Sequence, residues 1–261
     1  MLPYLELPPL RLGPVALYPF SVLLVLSIAV GYVLFARRCV RSGSHRGIAR
    51  RLFVWTMVWG LAGAHSLKIL LEEPAALRQD PLLFFRVWEG IYSFGGIVVG
   101  LLGGMWYLRR ERLSLVEMTT LRENGAYAFP FAWTLARAGC SLARDHPGRA
   151  AGGWLAVAYP DGSRYDLGLL EFLYALAASA LFLLLDRRNP PQGLYFALLF
   201  TTYGAFRFLA DELHVRRPTY LGLGSDQWFA AVLIAVGVRA LLRIVRRAPP
   251  PEQQRPEQQR P

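Results

Sequence analysis

The sequence predicts an all-α, polytopic membrane protein with about seven transmembrane helices, its N-terminus outside and its C-terminus cytoplasmic. Three observations carry that prediction. Hydrophobic residues make up 54% of the 261, above the roughly 45–50% apolar content of ordinary soluble domains, and the mean hydropathy is +0.30. The apolar residues fall into runs close to the ~20 residues that a membrane helix needs. The arginines lie mainly between those runs. The formal net charge is +11 and the isoelectric point about 10.2. A balance this basic suits nucleic acid, anionic lipid or cytoplasmic loops; its placement between apolar runs selects the membrane and leaves nucleic-acid binding without support.

In chain order, MLPYLELPPLRLGP has no Lys/Arg-rich start before an apolar run, so no cleaved signal peptide is expected there. Membrane spans are expected at about 14–36, 52–71, 91–108, 126–142, 167–185, 194–210 and 227–242. The fourth is the weakest, because Arg122, Glu123 and Asn124 precede it. Residues 1–247 then form a single membrane domain. The tail 248–261, with PEQQR twice, is Pro/Gln-rich, cannot bury a core and is expected to be disordered.

Orientation follows from Lys and Arg in short loops, which favour the cytoplasm. Arginines crowd the 37–51 loop (Arg37, Arg38, Arg41, Arg46, Arg50, Arg51), the 109–112 turn, the 186–191 turn, and the C-terminal end at Arg239, Arg243, Arg246 and Arg247. With seven spans all four segments fall on one side. The loops 72–90, 143–166 and 211–226 then face outwards.

One outer segment breaks the charge rule. RAGCSLARDHPGR holds Arg137, Arg144, Asp145, His146 and Arg149 where few arginines are expected. Arg137 falls inside the end of the fourth span and Arg207 inside the sixth. A charge at membrane depth costs at least ~2.5 kcal/mol and is usually paired or functional. The arginine fork matches phosphate, so Arg137, Arg164 and Arg207 on converging outer ends suggest a site for a lipid phosphate. The alternative is an Arg137–Glu171 pair, with the loop arginines reaching the headgroups. Asp145 and His146 are candidate acid/base groups or solvated loop residues. Asp166 either caps the fifth span or joins the site.

Two further stretches bear on the same end. In WEGIYSFGGIVVGLLGG, Gly95, Gly96, Gly100, Gly103 and Gly104 either let helices approach closely or, with Ser93, leave room for lipid backbone atoms. In YGAFRFLADELHVRRPTYLGLGSDQWF, Arg207 and Asp211 are spaced to pair on one helix face. Tyr220 and Trp228 suit an interfacial belt, and Tyr220 alternatively bonds a ligand. No metal is expected from spacing, and no metal-ligand cluster is evident. The two cysteines, Cys39 and Cys140, are too few for a disulfide framework and are expected on opposite sides of the membrane. Cys140 reads as a buried, inert thiol.

Four blocks in register resemble the prolipoprotein diacylglyceryl transferase family: WEGIYSFGGIVVG, FPFAWTLARAGC followed by DHPGR, WLAVAYPDGSRYDLGLLE, and YGAFRFLADEL followed by TYLGLGSDQW. The resemblance runs from about Leu10 to Val238. It implies a bacterial plasma (inner) membrane enzyme whose active site faces outwards. Such an enzyme moves the diacylglyceryl group of phosphatidylglycerol onto the lipobox cysteine thiol of a preprolipoprotein, directed by its signal peptide, with glycerol 1-phosphate leaving. No cofactor is implied. By the resemblance, Arg137 matches the family's phospholipid-binding arginine, Arg207 the arginine of its Tyr-Gly-x-x-Arg-Phe segment with Tyr203 at the start, and Glu171 the acid before the fifth span. Gly139, Ser93, Gly95, Gly96, Arg149, Arg164, Asp166, Tyr203 and Tyr220 complete the expected substrate contacts. The chain departs from the family pattern in five places. Ser93-Phe94 is followed by Gly95 where many members carry histidine. Cys140 and Ala143 replace two asparagines, Asp145 replaces a glutamate, and Phe20-Ser21 replaces a Tyr-Gly pair. On this reading His146 or Asp145 takes over from the lost histidine. Two other readings stay open: an enzyme using the same lipid with another acceptor, and a non-catalytic lipid-binding relative.

Overall fold

The computed structural model describes residues 1–5, 7–12, 15–72, 74–86, 92–215 and 219–247. The expected disordered tail at 248–261, the Trp88–Ile91 part of the first family-like block, and Pro218 lie outside the described residues. A short hairpin, β1 (Leu10–Leu12) with β2 (Val15–Leu17), leads into α1 (Pro19–Arg41). Next come α2 (Arg46–Leu67), which runs on through a π-helical segment at Lys68–Glu72, and the short α3 (Pro74–Gln79). Then follow α4 (Ser93–Arg110) and α5 (Leu115–Ala143). Strands β3 (Pro147–Ala150), β4 (Ala156–Tyr159) and β5 (Gly162–Asp166) precede α6 (Leu167–Asp186) and α7 (Leu194–Asp211). A two-residue-strand hairpin, β6 (Thr219–Tyr220) and β7 (Leu223–Gly224), leads into α8 (Ser225–Arg247).

Each expected span falls on one of seven helices of at least 18 residues. Among the described residues, four of them (α1, α2, α6 and α8) are long and apolar enough by themselves to cross a membrane. The protein is a helical, multi-pass membrane protein. Helices α4, α5 and α7 are diluted by glycine or by internal charge. They are completed by packing: α4 lies along α2, α5 along α1 and α6, and α7 along α8.

Small residues set those distances. A Cβ at Gly96 would lie 3.0 Å from the Gly60 carbonyl oxygen, and one at Gly100 would lie 3.0 Å from that of Thr56. The glycines of α4 therefore serve close packing against α2. Gly95 does the same: a Cβ there would sit 2.6 Å from Tyr92 Cδ1 and 2.9 Å from Leu67 Cβ. The room expected there for lipid atoms is filled by protein.

The fourth span begins eleven residues earlier than expected. Ser114 and Glu117 form a capping box at the start of α5. The polar run Arg122-Glu123-Asn124 is helical, and Glu123 and Asn124 are buried. Glu123 accepts the Tyr195 N–H (2.9 Å) and the Phe196 N–H (3.0 Å). It thereby caps α7, whose own N-cap, Gly193, has no side chain. Asn124 donates to Ser42 Oγ at 2.8 Å.

The expected outer loop at 143–166 carries a three-stranded antiparallel sheet in the order β3-β5-β4. Leu2 bridges to its edge, donating to the Ala156 carbonyl (2.8 Å) and accepting from Ala158 (3.1 Å). The N-terminus thus lies beside this sheet. The arginine-rich helix ends gather elsewhere. Arg38, near the end of α1, pairs with Asp186 at the end of α6 (2.8 Å), and Arg51 in α2 donates to Tyr107 near the end of α4 (2.9 Å).

Candidate functional site

At the opposite ends of α5, α6, α7 and α8, charge is buried. Arg137, one turn and a half before the end of α5, is 4% exposed and Glu171, one turn into α6, is 3% exposed; Nε and Oε2 are 2.6 Å apart. Arg207, near the end of α7, stands on the other side of the same carboxylate, with Nη1 3.7 Å from Glu171 Oε1. Its second partner is Asp226 in the first turn of α8. Tyr203, one turn before Arg207, donates to Glu171 Oε1 at 3.1 Å.

The quartet is formally neutral, two arginines against two carboxylates, as burial at this depth requires. Its donors are not exhausted. Arg207 Nε and Trp133 Nε1 are buried and make no hydrogen bond among the described residues. The Arg137 guanidinium lies 4.4 Å above the Trp133 ring, so the indole faces the same chemistry. Buried N–H groups without acceptors are costly, and an acceptor oxygen is what these two lack. Tyr92 reaches this end as well, its hydroxyl 3.4 Å from Ser225 Oγ at the start of α8.

Of the residues expected from sequence, Arg137, Glu171, Tyr203 and Arg207 are brought together. Gly139 stands by: a Cβ there would lie 3.3 Å from Phe20 Cα, so its absence lets α1 approach α5 near Arg137. Arg207 takes Glu171 and Asp226 as carboxylate partners, where the sequence suggested Asp211. Of the two readings of Arg137, the structure shows the ion pair with Glu171.

Arg164 does not join this quartet. It lies on β5 and binds Asp161 at 2.6 Å. Its hydrogen bond holds the Asp161 carboxyl below the usual carboxylate range. Arg149 on β3 is exposed and sits 3.5 Å from Glu212. Tyr220 is exposed on β6, and its carbonyl accepts the Trp228 indole N–H at 2.8 Å. Ser93 begins α4. Asp166 caps α6 by accepting from the Leu169 N–H (2.9 Å), and its other oxygen takes Arg144 (2.6 Å) and the Tyr159 hydroxyl (3.1 Å). It orders the loop by contacts within the protein. Burial, followed by the Asp166 charge, pushes the Tyr159 hydroxyl above the usual phenol range and keeps it a donor.

Asp145 and His146 follow Arg144, the left-handed residue (φ 52°) that ends α5. His146 Nδ1 contacts Asp145 Oδ1, and both side chains are partly exposed. Cys140 Sγ is buried beneath them and accepts from Arg137 Nη1 at 3.5 Å. The ligand atoms of Cys140, Asp145 and His146 all lie within 4.8 Å of one another, as do those of Asp211, His214 and Asp226. Spacing alone hid both clusters, because the first needs the turn at Arg144 and the second joins residues from two helices. Asp226 and Trp133 also escaped the sequence reading. Asp226 stands beside Gln227 at a helix start, where an acid reads as a dipole partner, and Trp133 sits in an aromatic run.

The sequence profile described as prolipoprotein diacylglyceryl transferase matches residues 9–243. Similar proteins carry the name phosphatidylglycerol–prolipoprotein diacylglyceryl transferase. That of Frankia alni is 27% identical over 96% of this chain and 68% of its own length. That of Paenarthrobacter aurescens is 27% identical over 89% and 80%, and that of Aeromonas salmonicida is 28% identical over 81% and 78%. With the match spanning every long helix and the buried quartet, the chain belongs to the prolipoprotein diacylglyceryl transferase family.

Proposed function

We propose that the protein transfers the diacylglyceryl group of phosphatidylglycerol to the lipobox cysteine thiol of preprolipoproteins, forming a thioether and releasing glycerol 1-phosphate. The observation that carries this reading is the neutral quartet of Arg137, Glu171, Arg207 and Asp226 with unused donors at Arg207 Nε and Trp133 Nε1. The lipid phosphate lies against Arg137 and Arg207. Positive charge there stabilises the leaving phosphate as the ester bond breaks. Glu171 and Tyr203 hold the two guanidinium groups in place. Gly95 and Gly96 hold α4, which Ser93 begins, against α2, Gly139 lets α1 approach α5 beside Arg137, and Arg149, Arg164, Asp166 and Tyr220 order the loops above the site. The acceptor thiol comes to the Asp145–His146 pair, which stands in for the histidine that the family resemblance places at Gly95. A free thiol ionises near pH ~8.5 and needs such help to react as thiolate at neutral pH.

We read all seven long helices as membrane spans in a bacterial inner membrane, N-terminus outside and C-terminus cytoplasmic, with the quartet towards the outer face. The signal peptide of the acceptor enters from the bilayer.

Complementation tests the reading. A host depleted of its own diacylglyceryl transferase expresses this chain, and a model prolipoprotein is followed by gel shift and mass. The expected result is a diacylglyceryl mass gain that Arg137→Ala abolishes. An inserted, well-expressed chain giving no mass gain would instead favour another acceptor for the same lipid.

A further inference from the structure

At the arginine-rich end one arginine is partly buried without a partner. Arg122, two turns into α5, is half-buried, and its Nε is buried and makes no hydrogen bond among the described residues. Buried charge is ordinarily paired. The four carboxylates that the described residues place at this end are all committed: Glu111 lies 3.6 Å from Arg51, Glu117 closes the capping box with Ser114, Glu123 turns both oxygens to α7, and Asp186 holds Arg38. A second cation stands close by. Tyr107 and Leu108 of α4 pack with Met118 and Leu121 of α5 in one buried cluster, which brings their chain neighbours Arg109 and Arg122 to a common rim. Arg109 is exposed, and its like charge repels the Arg122 guanidinium. Two arginines side by side, with the carboxylates of this end occupied, call for an anion from outside the protein.

The surroundings give the class of that anion. On α4, Leu102, Trp106 and Arg109 follow one another at helical spacing and share a face. Leu102 is 56% exposed and Trp106 46% exposed. Arg110 is turned onto the Trp106 ring, 5.4 Å from its centroid. On α5, Leu115 and Arg122 share a face, and Leu115 and Val116 are both strongly exposed. An exposed apolar stripe ending in arginine is matched by a phospholipid, with an acyl chain along the stripe and the phosphate at the guanidinium. The arginine fork fits phosphate oxygens. A soluble anion would leave the apolar stripe uncovered.

We propose that Arg109 and Arg122 bind the phosphate of an anionic phospholipid in the leaflet at the arginine-rich end, at a site separate from the buried quartet. The proposal rests on the reading of α4 and α5 as membrane spans and makes no use of the transferase reading. Arg122 and Arg137 lie on the same helix, about 22 Å apart along its axis at 1.5 Å per residue, so one phosphate cannot serve both. The bound phosphate neutralises Arg122 and ties the end of α4 to the start of α5.

The test uses the full-length chain, delipidated in a neutral detergent, and reads unfolding temperature and lipid retention by native mass spectrometry. Without lipid, Arg122→Gln should unfold no earlier than wild type, because it removes an uncompensated charge. Added phosphatidylglycerol should raise the unfolding temperature of wild type more than that of Arg122→Gln, as ligand linkage requires; lipid held at the quartet contributes to both and cancels. The variant should retain one phosphatidylglycerol fewer, its affinity at this site weaker by about tenfold or more, as expected for losing a charge-assisted hydrogen bond. Arg109→Gln should move in the same direction. Arg187→Gln, which removes an exposed arginine from the same end, should respond as wild type does. Phosphatidylcholine should not separate wild type from Arg122→Gln, and inorganic phosphate should not reproduce the lipid's effect. Equal lipid gain and equal retention in wild type and Arg122→Gln overturn the site. Early unfolding of lipid-free Arg122→Gln also overturns it, by showing that the arginine already has its partner within the protein. A wild-type response to inorganic phosphate equal to that with lipid overturns the lipid as occupant and shows that the two arginines face water. Each of these outcomes leaves the transferase reading as it stands, because none of them is read from transfer.

Discussion

Arg137 and Glu171 bury opposite charges 2.6 Å apart at a depth where neither could stand alone. Removing one partner of a buried pair typically costs about 3–5 kcal/mol, because the other is left uncompensated, whereas replacing both can be nearly neutral. Arg137→Gln and Glu171→Gln should therefore each lower thermal stability in detergent strongly. The double variant should recover most of the loss and still transfer no lipid, because phosphate binding needs the guanidinium. If the two losses simply add, the pair is not coupled and Arg207 carries Glu171 alone. Gly95 supports a second prediction at this scale. Restoring the family's histidine there meets Tyr92 and Leu67 within 3 Å of its Cβ. Gly95→His should cost about 1–3 kcal/mol, as overpacking does, and should not raise activity. A rise in activity would show that Tyr92 and Leu67 give way and that this site can take its proton at α4.

At the scale of elements, Glu123 shows how a helix can be completed by another. Its carboxylate accepts two N–H groups at the start of α7, where Gly193 supplies no cap. Glu123→Ala should lower stability by about 1–2 kcal/mol, in the range for losing an N-cap, while activity per folded molecule is kept. Unchanged unfolding temperature would mean that water caps α7 equally well. The same contact explains why the start of α5 was illegible. In sequence Arg122-Glu123-Asn124 looks like a loop; Glu123 is satisfied by α7 and Asn124 by the end of α1, partners far away in the chain. The sheet at 147–166 was more legible than the reading allowed. AVAYPDGSRYD alternates around a Pro-Asp-Gly turn, a hairpin signal. The long apolar runs of α1, α6 and α8 were legible because each carries its own hydropathy. The buried quartet was half legible: Arg137, Glu171 and Arg207 stand out by charge at depth, whereas Asp226 and Trp133 become recognisable only when α5, α7 and α8 meet.

Across the whole molecule the two ends differ in kind. One gathers the ends of α1, α4, α6 and α8 and the starts of α2, α5 and α7. There Arg38 binds Asp186, Arg51 binds Tyr107, and Gly193 lies near Ile244 of α8. The other holds the N-terminus against the β3-β5-β4 sheet through Leu2, with the charged quartet just beneath. Helix α5, at 29 residues, is about 43 Å long at 1.5 Å per residue, longer than the ~30 Å hydrocarbon core. With α5 as a membrane span, as proposed above, its polar first turns extend into the headgroup zone at the arginine-rich end. By the positive-inside rule we propose that this end is cytoplasmic and the sheet end external. Cysteines introduced at two strongly exposed positions test this. Leu115 starts α5 at the arginine-rich end and is 82% exposed, and Trp154 beside the sheet is 77% exposed. The native Cys39 and Cys140 are buried and should contribute little background. Trp154→Cys should react with a membrane-impermeant maleimide on intact cells whose inner membrane is sealed and whose outer barrier is open. Leu115→Cys should react only after the membrane is permeabilised. The reverse pattern would put the quartet on the cytoplasmic side, where a thiol arriving on an exported precursor could not reach it, and the proposed acceptor would have to be given up along with the topology.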